Sequence, residues 1–189
     1  PPTTPPPAVP PSSPPPAVPP PSPPVLFTTV DLSASMSIDS GGYCDPVTLS
    51  DGRVVLTPSS EKSIVIYDPS SGAVDMVDVS AVVGDAPVEV FMGAALASNG
   101  LVVMSPYKSD YIGIFDPASS SFSTVAVPYV KTAYVGAAAT ANGLVIFAPG
   151  KASGVGVFEA TSRTFTTVET GSSSGGRKFC GAATAGREI

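Results

Sequence analysis

Histidine and tryptophan are absent from this sequence, and cysteine occurs only twice. Without histidine there is no Ser-His-Asp or Cys-His nucleophile system, no imidazole metal ligand and no imidazole pH switch. Two cysteines cannot complete a four-thiolate zinc or iron–sulfur site. Charge is sparse too: nine basic against 15 acidic residues leave a net charge of −6 over 189 residues. A surface built for phosphate backbones needs a basic face, so no nucleic-acid partner is expected. No uncharged apolar run approaches the roughly 18 residues of a membrane-spanning helix. Calcium-binding Asp loops, GxSxG and phosphate-cradling glycine loops are missing as well. Asp75 and Asp78 sit at odd spacing on a candidate strand. They therefore face opposite sides and form no acid–base pair there. Asp68 and Asp116 read as turn caps. The expectation is a protein that is not an enzyme and carries no catalytic residues, cofactor or metal.

Proline is abundant instead, and unevenly placed. Residues 1–24 hold 15 of the 23 prolines, and PPPAVPP occurs at Pro5–Pro11 and again at Pro14–Pro20. The arm carries no charge; Thr3, Thr4, Ser12, Ser13 and Ser22 punctuate it. Such a segment has few N–H donors and too little apolar surface to offset the entropy of ordering. It is expected to form an extended polyproline II arm, reaching roughly 74 Å at about 3.1 Å per residue. The chain begins at Pro1 without a methionine or an apolar leader, so its N-terminus reads as processed or truncated.

Residues 25–189 repeat. DGRVVLTP (Asp51–Pro58) aligns with NGLVVMSP (Asn99–Pro106) and NGLVIFAP (Asn142–Pro149), at offsets of 48 and 43 residues. SIVIYDPSSG, YIGIFDPASS and GVGVFEATSR follow with the same offsets, and FCGAATAGREI at Phe179–Ile189 opens a fourth copy. Each unit reads as four short strands. A small-residue first strand meets an Asp-Gly or Asn-Gly turn, expected as a two-residue hairpin with positive φ at both positions. An apolar second strand ends at Pro58, Pro106 or Pro149, because proline cannot donate to the ladder. A β-branched and aromatic third strand and a short fourth complete the unit; no helix is expected. Four antiparallel strands every 43–48 residues point to an all-β, β-propeller-like array of three full units plus a partial terminal one. A β-trefoil is the alternative. Two departures stand out: Glu159-Ala160 replaces Asp-Pro in the third unit, and Asp45-Pro46 replaces Gly-Ala in the first. Altered turns or interfaces are expected there.

The pattern FxGAAxAxNGLVVxxP…IGIFDP…FSTV over residues 26–189 resembles kelch-like propeller repeat proteins of algal genomes. The arm resembles the hydroxyproline-rich modules of extensin- and pherophorin-like glycoproteins of plant and algal walls. Together these resemblances imply a secreted, extracellular structural glycoprotein: a subunit of a cell wall, appendage or fibril, assembling as a homo-oligomer or filament. They also imply hydroxylation and O-glycans on Pro5, Pro6, Pro7, Pro14, Pro15, Pro16, Pro19, Pro20 and Pro21, with Thr3, Thr4, Ser12, Ser13 and Ser22 beside them. N-linked sugar has no acceptor, since Asn99 and Asn142 are each followed by Gly-Leu. The alternative function is a carbohydrate- or protein-binding propeller module on a proline-rich stalk, with Tyr107, Lys108-Ser109-Asp110 and Lys151-Ala152-Ser153 as contact loops.

Cys44 and Cys180 occupy the same slot of the first and fourth units. Three fates are open: a disulfide within the chain, free thiols, or a disulfide between chains. An intrachain disulfide would close a 137-residue loop, which chain-entropy reasoning values at about 5 kcal/mol.

Overall fold

The computed structural model describes residue 29, residues 42–84, 89–171 and 176–184. The proline arm, with every Pro, Ser and Thr expected to be modified on it, lies outside the described residues. Contacts divide the chain into two units, Pro1–Leu32 and Ser33–Ile189, and all the described strands belong to the second.

Each sequence repeat becomes one antiparallel sheet. The first contains β1 (Tyr43–Thr48), β2 (Val54–Pro58), β3 (Ser63–Tyr67) and β4 (Val74–Asp78). The second contains β5 (Phe91–Leu96), β6 (Val102–Pro106), β7 (Tyr111–Asp116) and β8 (Ser121–Ala126). The third contains β9 (Tyr134–Ala139), β10 (Leu144–Pro149), β11 (Gly154–Glu159) and β12 (Thr164–Glu169). Strand order follows the sequence in all three, and the register repeats. Tyr43 faces Pro58, Phe91 faces Pro106 and Tyr134 faces Pro149. The prolines end their strands as their missing N–H requires.

The β1–β2, β5–β6 and β9–β10 connections differ from the two-residue hairpin expected. Leu49 N–H donates to the Arg53 carbonyl and Gly52 N–H to that of Leu49, so three residues lie between the paired positions. Only the glycines take positive φ: +91° at Gly52, +85° at Gly100 and +89° at Gly143. This is the three-residue turn that ends in a left-handed glycine. The Asp or Asn before it does not take positive φ.

A helical turn, α1 (Ser80–Val83), also departs from the all-strand expectation. It lies in the connection from β4 to β5, which has 12 residues (79–90) against seven (127–133) from β8 to β9. That difference of five accounts for the unequal repeat offsets of 48 and 43. Asp78 Oδ1 accepts from Ser80 N–H at 2.8 Å, while Gly84 at φ 65° stops the turn. The turn turns Val83 inward beside Val79.

The middle sheet is covered on both faces, and β6 is buried along its whole length. Val102 and Met104 pack with Val55, Ile64 and Ile66 of the first sheet. The alternate residues Val103, Ile112 and Ile114 pack with Val145, Phe147 and Phe158 of the third. Each such side chain contributes about 1.5–3 kcal/mol when fully buried. In the third sheet, Ile146, Val155 and Val157 hold the positions of Val103, Ile112 and Ile114 but are only half-buried. An aromatic opens every unit. Phe91 meets Phe122 edge-on at 6.2 Å, and Tyr134 meets Phe165 at 6.0 Å. Both reach over a glycine, Gly113 or Gly156, where a Cβ would lie 2.7 or 3.0 Å from the ring. Phe179, the same residue of the fourth unit, is 53% exposed.

First strands of neighbouring sheets run side by side, and each bulges at its third residue. That residue is Asp45 (φ 43°), Gly93 (φ 137°) and Gly136 (φ 100°). A Cβ on Gly93 would stand 2.5 Å from the Gly136 Cα, and one on Gly136 would stand 2.6 Å from the Gly181 Cα. The backbones touch. Aspartate tolerates the left-handed region better than most residues, so Asp45 keeps the bulge in the first sheet. Gly93→Ala is expected to destabilise well beyond the ~1–2 kcal/mol of a left-handed alanine, because backbone must also move. Gly100→Ala, with open space around its Cβ, should cost only the conformational term. Urea unfolding of the two variants checks the ranking.

Candidate functional site

Consecutive antiparallel strands sort their connections onto two ends. The turns joining first to second and third to fourth strands lie at one end. Those joining second to third strands, and one sheet to the next, lie at the other.

At the first end the carboxylates are engaged by their own turns. Asp68 accepts from Ser70 N–H (2.8 Å), Ser70 Oγ (2.7 Å) and Ser71 Oγ (2.7 Å). Asp116 accepts from Ala118 N–H (2.9 Å) and Ser119 Oγ (2.7 Å). Glu159, expected to alter its turn, performs the same capping with a longer side chain: it accepts from the N–H groups of Thr161 and Ser162. Asp51 pairs with Arg53 at 2.8 Å. The Ser71 hydroxyl, then Ser70, holds the Asp68 carboxyl down to about 2, and Ser162 does the same for Glu159. Both pKa values lie below the ordinary carboxylate range, so their contribution to stability is present above that range. It is lost as pH falls from about 4 towards 2. Carboxyl NMR titration should give Asp68 a midpoint about 2, and Asp68→Asn should remove its share of the acid sensitivity in that window.

The other end carries a run of backbone hydrogen bonds that passes from sheet to sheet. Ser59 N–H donates to Gly42 (3.1 Å), Val90 N–H to Ser59 (2.8 Å) and Tyr107 N–H to Val90 (3.0 Å). Ala133 N–H donates to Tyr107 (3.0 Å), Gly150 N–H to Ala133 (2.8 Å) and Lys178 N–H to Gly150 (3.0 Å). Segment 176–184 thereby takes the place of a further first strand, and Thr184 Oγ1 donates to the Ala139 carbonyl at 2.7 Å.

This end also holds the lysines. Lys62, Lys108 and Lys151 lie between second and third strands, Lys131 precedes β9, and Arg177-Lys178 precede the fourth unit. Sequence reasoning picked out Tyr107, Lys108, Ser109, Asp110, Lys151, Ala152 and Ser153, and the fold brings them to one end. It missed Lys62, Lys131, Arg177 and Lys178. Their signal was available in the alternation of connections along the chain. Tyr107 is buried between two cations, with Lys108 Nζ 5.5 Å and the Arg177 guanidinium carbon 5.8 Å from its ring centre. Arg177 also donates to the Tyr107 hydroxyl (2.5 Å), Lys108 pairs with Glu89 (2.5 Å), and Lys178 Nζ donates to the Ala152 carbonyl (2.6 Å). A hollow of about 360 Å³ opens beside Lys151, lined also by Pro128, Val130, Tyr134, Ser153 and Glu169. A larger one of about 1110 Å³ lies towards the first end, among Leu96, Ala138, Thr140, Asn142, Ala182 and Thr184. Among the described residues no acid or base lines it.

Among the described residues no group of His, Cys, Asp and Glu could hold a metal ion. No described helix is long and apolar enough to cross a membrane. Cys44 on β1 is half-buried and Cys180 exposed, and the two are not bonded to each other in this structure. Asp78 caps α1.

No protein-family model and no curated protein matches the chain. Solved structures do. Catalytically inactive virginiamycin B lyase from Staphylococcus aureus with quinupristin is 13% identical, with a TM-score of 0.59 over 73% of this chain and 45% of that one. A streptogramin B lyase is 21% identical, at 0.59 over 71% and 42%. The WD40 repeats of RRP9 are 14% identical, at 0.50 over 67% and 39%. The sheets are propeller blades. The chain spans less than half the length of each of these neighbours, and at such identities the likeness concerns the fold alone.

Proposed function

We propose that this chain is a β-propeller binding module, presented on a proline-rich stalk, that holds a protein or carbohydrate at its lysine-bearing end without transforming it. The observation that carries this reading is the gathering of the lysines at an end they share with Glu61, Glu89, Asp110 and Glu169. All five lysines, together with Arg177, stand at one end of the blades. The carboxylates of the opposite end are tied into turns. Ammonium groups on separate loops suit recognition across an extended surface. Ser153, hydrogen-bonded to Glu169, adds a hydroxyl beside Lys151, whereas Ser109 is buried and its hydroxyl is bound to the Val90 and Tyr111 carbonyls.

The arm supports a setting for the module: a secreted, O-glycosylated subunit of a wall, appendage or fibril. Packing against like subunits is favoured by Ile146, Val155 and Val157, whose apolar face is left half-covered among the described residues while its counterpart in the middle blade is buried.

Biolayer interferometry of the 189-residue chain against neutral glycans, acidic glycans and extracellular-matrix proteins tests the binding role. Saturable binding is expected, weakened by Lys108→Glu with Lys151→Glu and unaffected by Arg53→Glu with Arg163→Glu at the other end. Equal loss from both pairs, or no saturable partner in any class, refutes the reading.

A further inference from the structure

The repeat provides an internal comparison of the spaces between blades. Tyr111 opens β7 in the middle blade and stands opposite Ala126; Gly154 opens β11 in the third and stands opposite Glu169. The Tyr111 ring meets Phe91 edge-on at 5.8 Å. Its hydroxyl donates to the Val82 carbonyl of α1 at 3.4 Å, and Val83 is buried in the same core. Neither filler recurs one blade on: glycine replaces the tyrosine, and the seven-residue connection into β9 holds no helical turn. What remains there is the hollow of about 360 Å³, lined by Tyr134 and Phe165, the counterparts of Phe91 and Phe122. Position 154 cannot supply the ring itself, since a Cβ on Gly154 would strike the Val168 carbonyl.

The hollow opens beside a strand edge. β12 is the last strand of its sheet, and its outer side makes no backbone hydrogen bond among the described residues. The ladder shows which of its groups are free. In the middle blade Val127 N–H donates to the Asp110 carbonyl at 2.7 Å, one step past the Tyr111–Ala126 pair. Hydrogen-bonded and open pairs alternate along an antiparallel ladder, so the N–H and C=O groups of Phe122, Thr124 and Ala126 point away from β7. β12 keeps the same register against β11. Its outward groups therefore belong to Phe165, Thr167 and Glu169, the three residues whose side chains line the hollow. A strand laid along this edge would place every second side chain on that same side.

Charge at the mouth is mixed. The hydrogen-bond run makes Val90 equivalent to Ala133 and Tyr107 to Gly150, so Glu89 corresponds to the buried Thr132 and Lys108 to Lys151. The Lys108–Glu89 pair thus has no counterpart in the third blade. Lys151 and Glu169 both line the hollow, which leaves the selection to the ring and the strand edge. Main-chain bonds along an exposed edge give affinity, and a pocket for an alternate side chain gives specificity.

We propose that β12 takes up an extended segment of a partner protein as a fifth strand, and that an aromatic side chain of this segment fills the hollow over Tyr134 and Phe165. The incoming ring takes the place that Tyr111 holds in the middle blade. This rests on the binding-module reading and names its partner.

Isothermal titration of the 189-residue chain with a capped heptapeptide of serine and threonine around one central tyrosine tests the site. Saturable binding is expected, and alanine in place of the tyrosine should weaken it at least about tenfold, the scale of one buried aromatic side chain. Methylating alternate peptide nitrogens should abolish binding in one phase and spare it in the other, because only one set of N–H groups faces β12. Thr167→Trp, at an exposed position of β12, should fill the hollow and abolish binding at an unchanged melting temperature. Thr124→Trp, at the equivalent position of β8, should leave binding intact. Equal affinity for the tyrosine and alanine peptides, or equal loss from both methylation phases, overturns the proposal. Self-association of the chain that Thr167→Trp removes, without peptide binding, overturns it in favour of a second copy. A glycan that binds and is lost on Thr167→Trp overturns it in favour of a sugar. Absence of peptide binding, with a saturable partner that is lost on Lys108→Glu with Lys151→Glu, sinks strand addition and leaves the binding module standing.

Discussion

Contact between backbones at the inner strands is the constraint from which the rest of this fold follows. Gly93 and Gly136 lie so close that neither position has room for a methyl group. That approach brings neighbouring blades near enough for Val90, Tyr107, Ala133, Gly150 and Lys178 to pass hydrogen bonds from one sheet to the next. Sheet faces then meet, and alternate residues of β6 and β7 are divided between two cores. Side-chain packing supplies the larger free energy, but glycine decides where it can be collected. Small residues in the first strand are therefore a geometric requirement, and only secondarily a matter of hydrophobicity.

Much of this was legible because a period of 43–48 residues repeats every local signal three times. Prolines at 58, 106 and 149 ended their strands, and Asp68 and Asp116 capped their turns, for reasons that reside in single residues. What escaped was whatever depends on neighbours. Asp-Gly and Asn-Gly announce a left-handed residue but do not fix loop length, so a three-residue turn looked like a two-residue one. Helix α1 has four residues, too few for any 3.6-residue pattern. The Asp78 carboxylate holds the Ser80 N–H at its start, and Gly84 stops it. Glu159 was expected to alter its turn, yet its longer carboxylate reaches the turn N–H groups of Thr161 and Ser162 and closes the same kind of turn.

The candidate site was the least legible part, for a related reason. Lys62, Lys108, Lys131, Lys151 and Lys178 are separated by 20 to 46 residues and look unrelated along the chain. They share an end only because antiparallel strands return the chain there after every second strand. The buried hydroxyl of Thr132 carries no sequence signature at all, since burial and the absence of a partner are properties of packing.

Repetition also changes what counts as evidence within one molecule. When three blades share a backbone, differences between equivalent side chains cannot be ascribed to the fold and require a local cause. Glu89 with Lys108 satisfies itself; Thr132 with Lys151 does not, yet both pairs sit on the same run of hydrogen bonds. Stability alone would favour pairing in both blades, because a hydroxyl buried without a partner is a net cost.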